Sequence, residues 1–295
     1  MALKPIDRTE EAAISLLTHL IHNTRLFQKS ADYMALLDFT AKMRNFAPFN
    51  AMLLNIQKPG LQYAASQHDW RNQFNRTIKD ESRPLLILWP FGPVALVYDV
   101  ADTEGADLPE TVLNPFPAIG EMKEWKIKGY TALLKKKGIE VRLIEYGGGK
   151  AGSVQANGAE EEPVIKHPSY DAKTPSRYII RVNSTHDPNT QFATIAHELA
   201  HIFLGHLGKD QYLKIPKRPR PTHELAELEA ESVSYLVCER NGVHSKAEAY
   251  LVEYVNDHEA VGNLDQYAVL KAAGQVENAL GLGEMVSFGP AIRRN

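Results

Sequence analysis

Two histidines four residues apart, with a glutamate directly after the first, are the strongest chemical signal in the chain: His197-Glu198-Leu199-Ala200-His201. On a helix, residues four apart are rotated by only about 40° and lie about 6 Å apart along the axis, so both imidazoles reach one ion. Zinc suits such a pair, because a catalytic zinc takes three protein ligands and keeps a fourth position for water. Glu198 stands beside the ion without ligating it. It is placed to take a proton from water whose pKa zinc lowers towards about 7. The chemistry implied is metal-assisted hydrolysis of a carbonyl compound, with Glu198 as general base.

A five-residue match arises by chance in some chains, so its context has to support it. Here it lies in an amphipathic stretch opened by Asp187-Pro188, a capping residue followed by a proline at the first helical position. Ala196 and Ala200 are small enough to let another helix come close.

A third ligand must come from another element. In THELAELEAESVSYLVC, residues 222–238, Glu227 and Glu231 share a helical face. Acidic residues on a helix are commonly just a solvated face. However, Ala226, Ala230, Val233 and Val237 form an apolar stripe beside Glu227, where a carboxylate is costly unless paired or metal-bound. Glu227 is the expected ligand, and Glu231 the group that orients a ligating histidine. Glu229 is the rival ligand. His206 is a third option, for which a structural role is the plainer reading.

The elements that must position these residues are legible in outline. Helical spacing marks residues 9–22, 31–46, 50–57, 122–137, 188–206, 222–240 and 265–280, and Ser245-Lys246-Ala247-Glu248 opens a further helix. Apolar runs predict strands over 85–89, 94–98, 139–146 and 177–183. Residues 146–163 are rich in Gly and Ala, the composition of a linker or mobile loop. The order of helices, strands and helices predicts an α+β chain. The expected division is residues 1–146 with helices and a small antiparallel sheet, a linker over 147–163, and a hydrolase domain over 164–295.

Composition narrows the function classes. The 295 residues are 44% apolar and 23% charged, enough for a sizeable core. A net charge of -3 argues against coating duplex DNA by bulk charge. The single cysteine, Cys238, excludes an internal disulfide and a multi-cysteine zinc site. No stretch reads as a signal peptide, and the most apolar one, 85–98, is too short to span a bilayer and is broken by Pro90, Gly92 and Pro93. A cytoplasmic protein without membrane partners is expected. The run Gly147-Gly148-Gly149-Lys150 lacks the spacing of a nucleotide phosphate loop.

The segment HELAHIFLGH followed by ELEAESVSYL resembles the ImmA/IrrE-type metallopeptidases, over residues 175–240. The resemblance implies a gluzincin with zinc as cofactor and a protein or peptide substrate. Glu231 stands where that family tends to have Asn or Asp. The order PFNAMLLNIQKPG (48–60), Trp70, then LLILWPFGPVALVYDVADTEGADLP (85–109) is similar to the ArdC-type antirestriction proteins. That likeness implies an N-terminal single-stranded-DNA-binding domain joined to a zincin domain, in the service of mobile DNA. Lys79-Asp80-Glu81 departs from the Lys-Gly-Glu common there.

Single strands are held by aromatic stacking beside basic groups. Phe49, Trp70 and Phe74, interleaved with Arg71, Arg76 and Lys79, are the expected DNA-binding residues. The plain alternative for each aromatic is the core. Asn45, Asn50 and Asn55 are further candidates, with turn and cap roles equally open. A repressor-cleaving regulatory peptidase is the competing function, and a DNA-binding protein with a structural zinc is the third.

Overall fold

The computed structural model describes residues 30–89, 92–109, 122–145, 151–157, 176–243 and 263–283. The helices expected over 9–22 and after Ser245 lie outside the described residues, as does most of the segment 147–163. The chain is α+β, as expected. It forms two compact units, the second running from residue 118 to residue 283. The lysine-rich helix and the strand after it pack within that second unit.

In the first unit, helix α1 (Ser30–Lys42) turns Tyr33, Leu36, Leu37 and Ala41 inward at helical spacing. Helix α2 (Pro48–Gln57) opens on a proline, whose missing N–H costs nothing in the first turn. A short helix α3 (Gln67–Asn72) is capped by Ser66, which accepts from the Asp69 amide. Strands β1 (Ala64–Ala65), β3 (Leu85–Trp89) and β4 (Gly92–Asp99) form an antiparallel sheet in the order β1-β4-β3. Strands β2 (Arg76–Ile78) and β5 (Thr103–Gly105) form a separate two-stranded ribbon. Met43, Phe46, Leu54, Leu61, Ile87 and Val97 are buried together in one core.

Strand β3 is an edge, and an edge strand carries unpaired backbone groups. Helix α2 closes it with two side chains. The Gln57 amide donates to Leu86 O at 2.8 Å and its oxygen accepts from Leu86 N at 2.8 Å. Asn50 does the same for Leu88, donating at 3.1 Å and accepting at 3.0 Å. Seven residues are about two helical turns, so both amides lie on one face of α2 and act as a substitute strand. Asn45 is also occupied, donating to Ala64 O at 2.8 Å.

In the second unit, strands β6 (Ile139–Ile144), β7 (Gly152–Ala156) and β8 (Tyr178–Asn183) form a sheet in the order β6-β8-β7. Strand β6 runs parallel to β8 and β7 antiparallel to it. Strand β7 lies inside the segment expected to be a linker. Among the described residues the unit also holds helices α4 (Glu124–Lys135), α5 (Pro188–Phe203), α6 (His223–Arg240) and α7 (Gln266–Leu280). Asp187 caps α5 through the Asn189 and Thr190 amides, and Thr222 caps α6 through the Leu225 amide. Arg240 donates to Glu277 at 2.7 Å, a buried pair that ties α6 to α7. Among the described residues no helix is long and apolar enough to cross a membrane.

Replacing Gln57 with Ala strips two hydrogen bonds from a partly buried strand edge. We expect a loss of about 1–3 kcal/mol, seen as a lower melting temperature, with faster hydrogen exchange at the Leu86 amide. Asn50→Ala, at the more exposed end, should cost less.

Candidate metal centre

Helix α5 presents His197 and His201 on one face, and α6 brings Glu227 to meet them. Their ligand atoms form a small triangle. Nε2 of His197 lies 3.1 Å from Nε2 of His201. Glu227 Oε2 lies 3.3 Å from the first and Oε1 3.6 Å from the second. One ligand atom from each of the three residues lies within 4.8 Å of the others, close enough for all three to reach one ion at about 2.0–2.1 Å after small side-chain adjustment. The donor set, two imidazole nitrogens and one carboxylate oxygen, also fits a catalytic zinc.

The electrostatics follow from the same closeness. Burial works to lower the His197 pKa, but the Glu227 and Glu231 carboxylates, with the charge of Glu198, outweigh it and raise it. His201 moves down, because it is buried and faces the His197 charge. His197 holds the Glu227 carboxyl below its ordinary value against the opposing effect of burial. Glu231 faces the other nitrogen of the His197 ring, with Oε2 3.7 Å from Nδ1. It sits where a group orienting that ring has to be.

Glu198 is buried one residue after His197, on the side of α5 that meets the sheet. Its neighbour is Gly152 of β7, a residue that carried no sequence signal. A Cβ at 152 would run into the Thr194 methyl, and would come within 2.8 Å of Arg181 O and 3.2 Å of Glu198 Oε1. Glycine is needed there because strand and helix come close beside the carboxylate.

The two rival ligands are placed elsewhere. The Glu229 side chain meets His206 and Arg218 instead of the triangle. Helix α5 ends at Phe203, earlier than expected, with Gly205 in the left-handed conformation at φ 77°. The chain doubles back there, and the His206 amide donates to His201 O at 3.1 Å.

The expected DNA-binding residues are scattered. Trp70 is 0% exposed, and its indole donates to Tyr98 O at 2.9 Å. Its expected stacking role is corrected: a ring filled around on both faces has no surface to offer a base. Phe74 is half-buried, its ring 5.3 Å from Trp70 and 5.7 Å from Tyr63. Phe49 is half-buried on α2. Arg76 is spent inside the β2–β5 ribbon, on Thr103 and Ala106. Lys79 is exposed but donates to Ala101 O at 2.9 Å. Arg71 is exposed and lines a cleft of about 780 Å³ with His68, Asn72, Leu96 and Tyr98.

The sequence profile of a peptidase family, the IrrE N-terminal-like domain, matches residues 160–270. Two solved structures are similar, both of the antirestriction ArdC protein from the R388 plasmid. The metal-free form is 16% identical with a TM-score of 0.36, covering 79% of this chain and 82% of that one. The Mn(II)-bound form is 14% identical with a TM-score of 0.37, covering 78% of this chain and 83% of that one. No curated protein matches the chain. The family likeness of residues 175–240 thus recurs in the profile match over residues 160–270.

Glu227→Gln should lower the bound metal measured by elemental analysis far more than Glu231→Gln does. Equal metal content in wild type and Glu227→Gln would remove Glu227 from the ligand set. Gly152→Ala should lower the melting temperature by an amount worth about 1–3 kcal/mol, as overpacking does.

Proposed function

We propose that the chain is a cytoplasmic zinc-dependent peptidase whose first unit contacts single-stranded DNA, acting in the protection of mobile DNA from restriction. One observation carries the hydrolytic half: the ligand atoms of His197, His201 and Glu227 cluster within 4.8 Å of one another, next to a buried Glu198. A zinc ion held by those three residues would supply Lewis acidity to water and to the substrate carbonyl. Glu198 accepts the proton of the attacking water and returns it to the departing amine. Glu231 keeps the His197 ring turned so that Nε2 faces the ligand position.

A peptide is the favoured substrate because of β7. Among the described residues this strand pairs only with β8, and at Gly152 it passes close to Glu198. An extended peptide laid along an open strand edge gains main-chain hydrogen bonds whatever its side chains. Such a pose carries an amide past the general base.

The DNA half rests on the sequence likeness of residues 48–60 and 85–109 to the ArdC-type proteins. Its proposed contact is the cleft around Arg71, where His68, Asn72 and Tyr98 give polar and aromatic groups and Leu96 is exposed. Phe49 stays a candidate at its margin of burial. The burial of Trp70 favours a second reading, a regulatory peptidase that cleaves a repressor and whose first unit binds protein.

Glu198→Gln should keep metal content and melting temperature and abolish cleavage of a fluorogenic peptide library. Cleavage at the wild-type rate would refute the assigned base. The full chain should retain a labelled single-stranded oligonucleotide at low salt, with affinity falling as salt rises and falling again in Arg71→Ala. A chain that retains none supports the regulatory reading.

A further inference from the structure

Behind the metal ligands the second unit lines up polar side chains, buried or half-buried, that hydrolysis itself does not use. Nδ1 of His201 lies 2.8 Å from Nδ1 of His206. Nε2 of His206 lies 2.9 Å from Glu229 Oε2. Arg218 donates to both Glu229 oxygens, at 2.8 and 3.1 Å, and to Leu204 O at 3.0 Å. Glu229 is fully buried, and a buried carboxylate is costly unless every partner is in place. We propose that His206, Glu229 and Arg218 are positioning residues, a one-way hydrogen-bond relay that holds the His201 ring with Nε2 facing the metal position.

The direction of the relay follows from donor counting. An ionised carboxylate only accepts, so the His206 nitrogen that faces Glu229 must carry a hydrogen. Arg218 already balances the Glu229 charge, and the relay needs no second cation. The other His206 nitrogen is then an acceptor, and the only hydrogen available to it is on Nδ1 of His201. His201 is thereby held as the tautomer with a bare Nε2, the nitrogen 3.1 Å from His197 and 3.6 Å from Glu227. The reverse direction would set two lone pairs against each other at 2.9 Å between His206 and Glu229.

The two ligating rings are thus braced from different sides. His197 faces Glu231 of α6, whereas His201 is braced by a residue beyond the end of its own helix. Arg218 has a second use. Leu204 is the C-cap of α5, and the last carbonyls of a helix lack intrahelical partners. One guanidinium therefore fixes the Glu229 carboxylate and the turn that carries His206.

This inference rests on the metal-centre reading, and the test separates the two. Zinc affinity of the full chain is measured by chelator competition, alongside the melting temperature of the zinc-free protein. Glu229→Gln, which keeps the shape, and His206→Phe should each weaken zinc binding about 10- to 100-fold, the usual cost of losing a group that orients a ligand. In the zinc-loaded protein labelled with ¹⁵N-histidine, the His201 Nδ1 proton should exchange slowly with solvent, and quickly in both variants. Zinc affinity within twofold of wild type and an unchanged proton exchange in Glu229→Gln would overturn the relay, even with a lower melting temperature. A wild-type chain that binds no zinc would overturn the metal-centre reading and the relay with it.

Discussion

Everything in the candidate centre depends on how closely α5 and α6 approach. Three ligand atoms must come from two helices, and a carboxylate has little reach. The approach is set by small residues: Ala196 and Ala200 on α5 and Ala230 on α6 are fully buried. Ser234 of α6 is near enough to donate to Ala193 O of α5 at 3.2 Å. Larger side chains in this seam would part the helices and open the triangle, which no rotamer of Glu227 could close. The sheet and α7 then serve to hold the pair: α7 is tied to α6 by the buried Arg240–Glu277 pair, and β7 lies against α5 at Gly152.

The glutamates of α6 show why composition says little without direction. Glu227 and Glu231 are four residues apart and both face His197. Glu229, two residues from either, is turned about 200° around the helix and faces His206 and Arg218. Each carboxylate has a cationic or ligating partner matched to its burial. Burial acts to raise the Glu229 pKa, and the His206 and Arg218 bonds prevail and lower it. The same side chain exchanged between positions 227 and 229 would be a ligand in one place and a brace in the other.

The legible parts of this fold were those written in local signals. The caps Asp187 and Thr222, the four-residue spacings and the apolar run at 178–183 act over a few residues, so α5, α6 and β8 could be read from the chain. Strand β7 could not, because Gly-Ser-Val-Gln-Ala has the composition of a linker. It is a strand because β8 pairs with it. The pairing of β6 with β8 is equally silent in local sequence, since it joins segments more than thirty residues apart. The Arg218–Glu229 pair gives no local signal either, since its partners lie eleven residues apart on different elements. Helix α5 ends at Phe203, ahead of the left-handed Gly205 and three residues short of the expected 188–206.

The first unit teaches the converse lesson about aromatic and amide side chains. Tyr63 packs edge to face with Trp70 and with Phe74, the Trp70 and Phe74 rings are tilted at 54° to each other, and Trp70 gives its N–H to Tyr98 O. A buried indole needs both the apolar contact and an acceptor, and here it has both. Asn50 and Gln57 are likewise taken by the β3 edge. Beside these internally engaged side chains, the cleft at Arg71 keeps polar and aromatic groups that a strand of nucleic acid could meet. That surface holds one exposed arginine and one histidine, not a basic groove. Contact there would draw on few phosphates, so its salt dependence would be shallow for a DNA-binding protein. Any affinity would then come mainly from stacking and apolar contact with Tyr98 and Leu96.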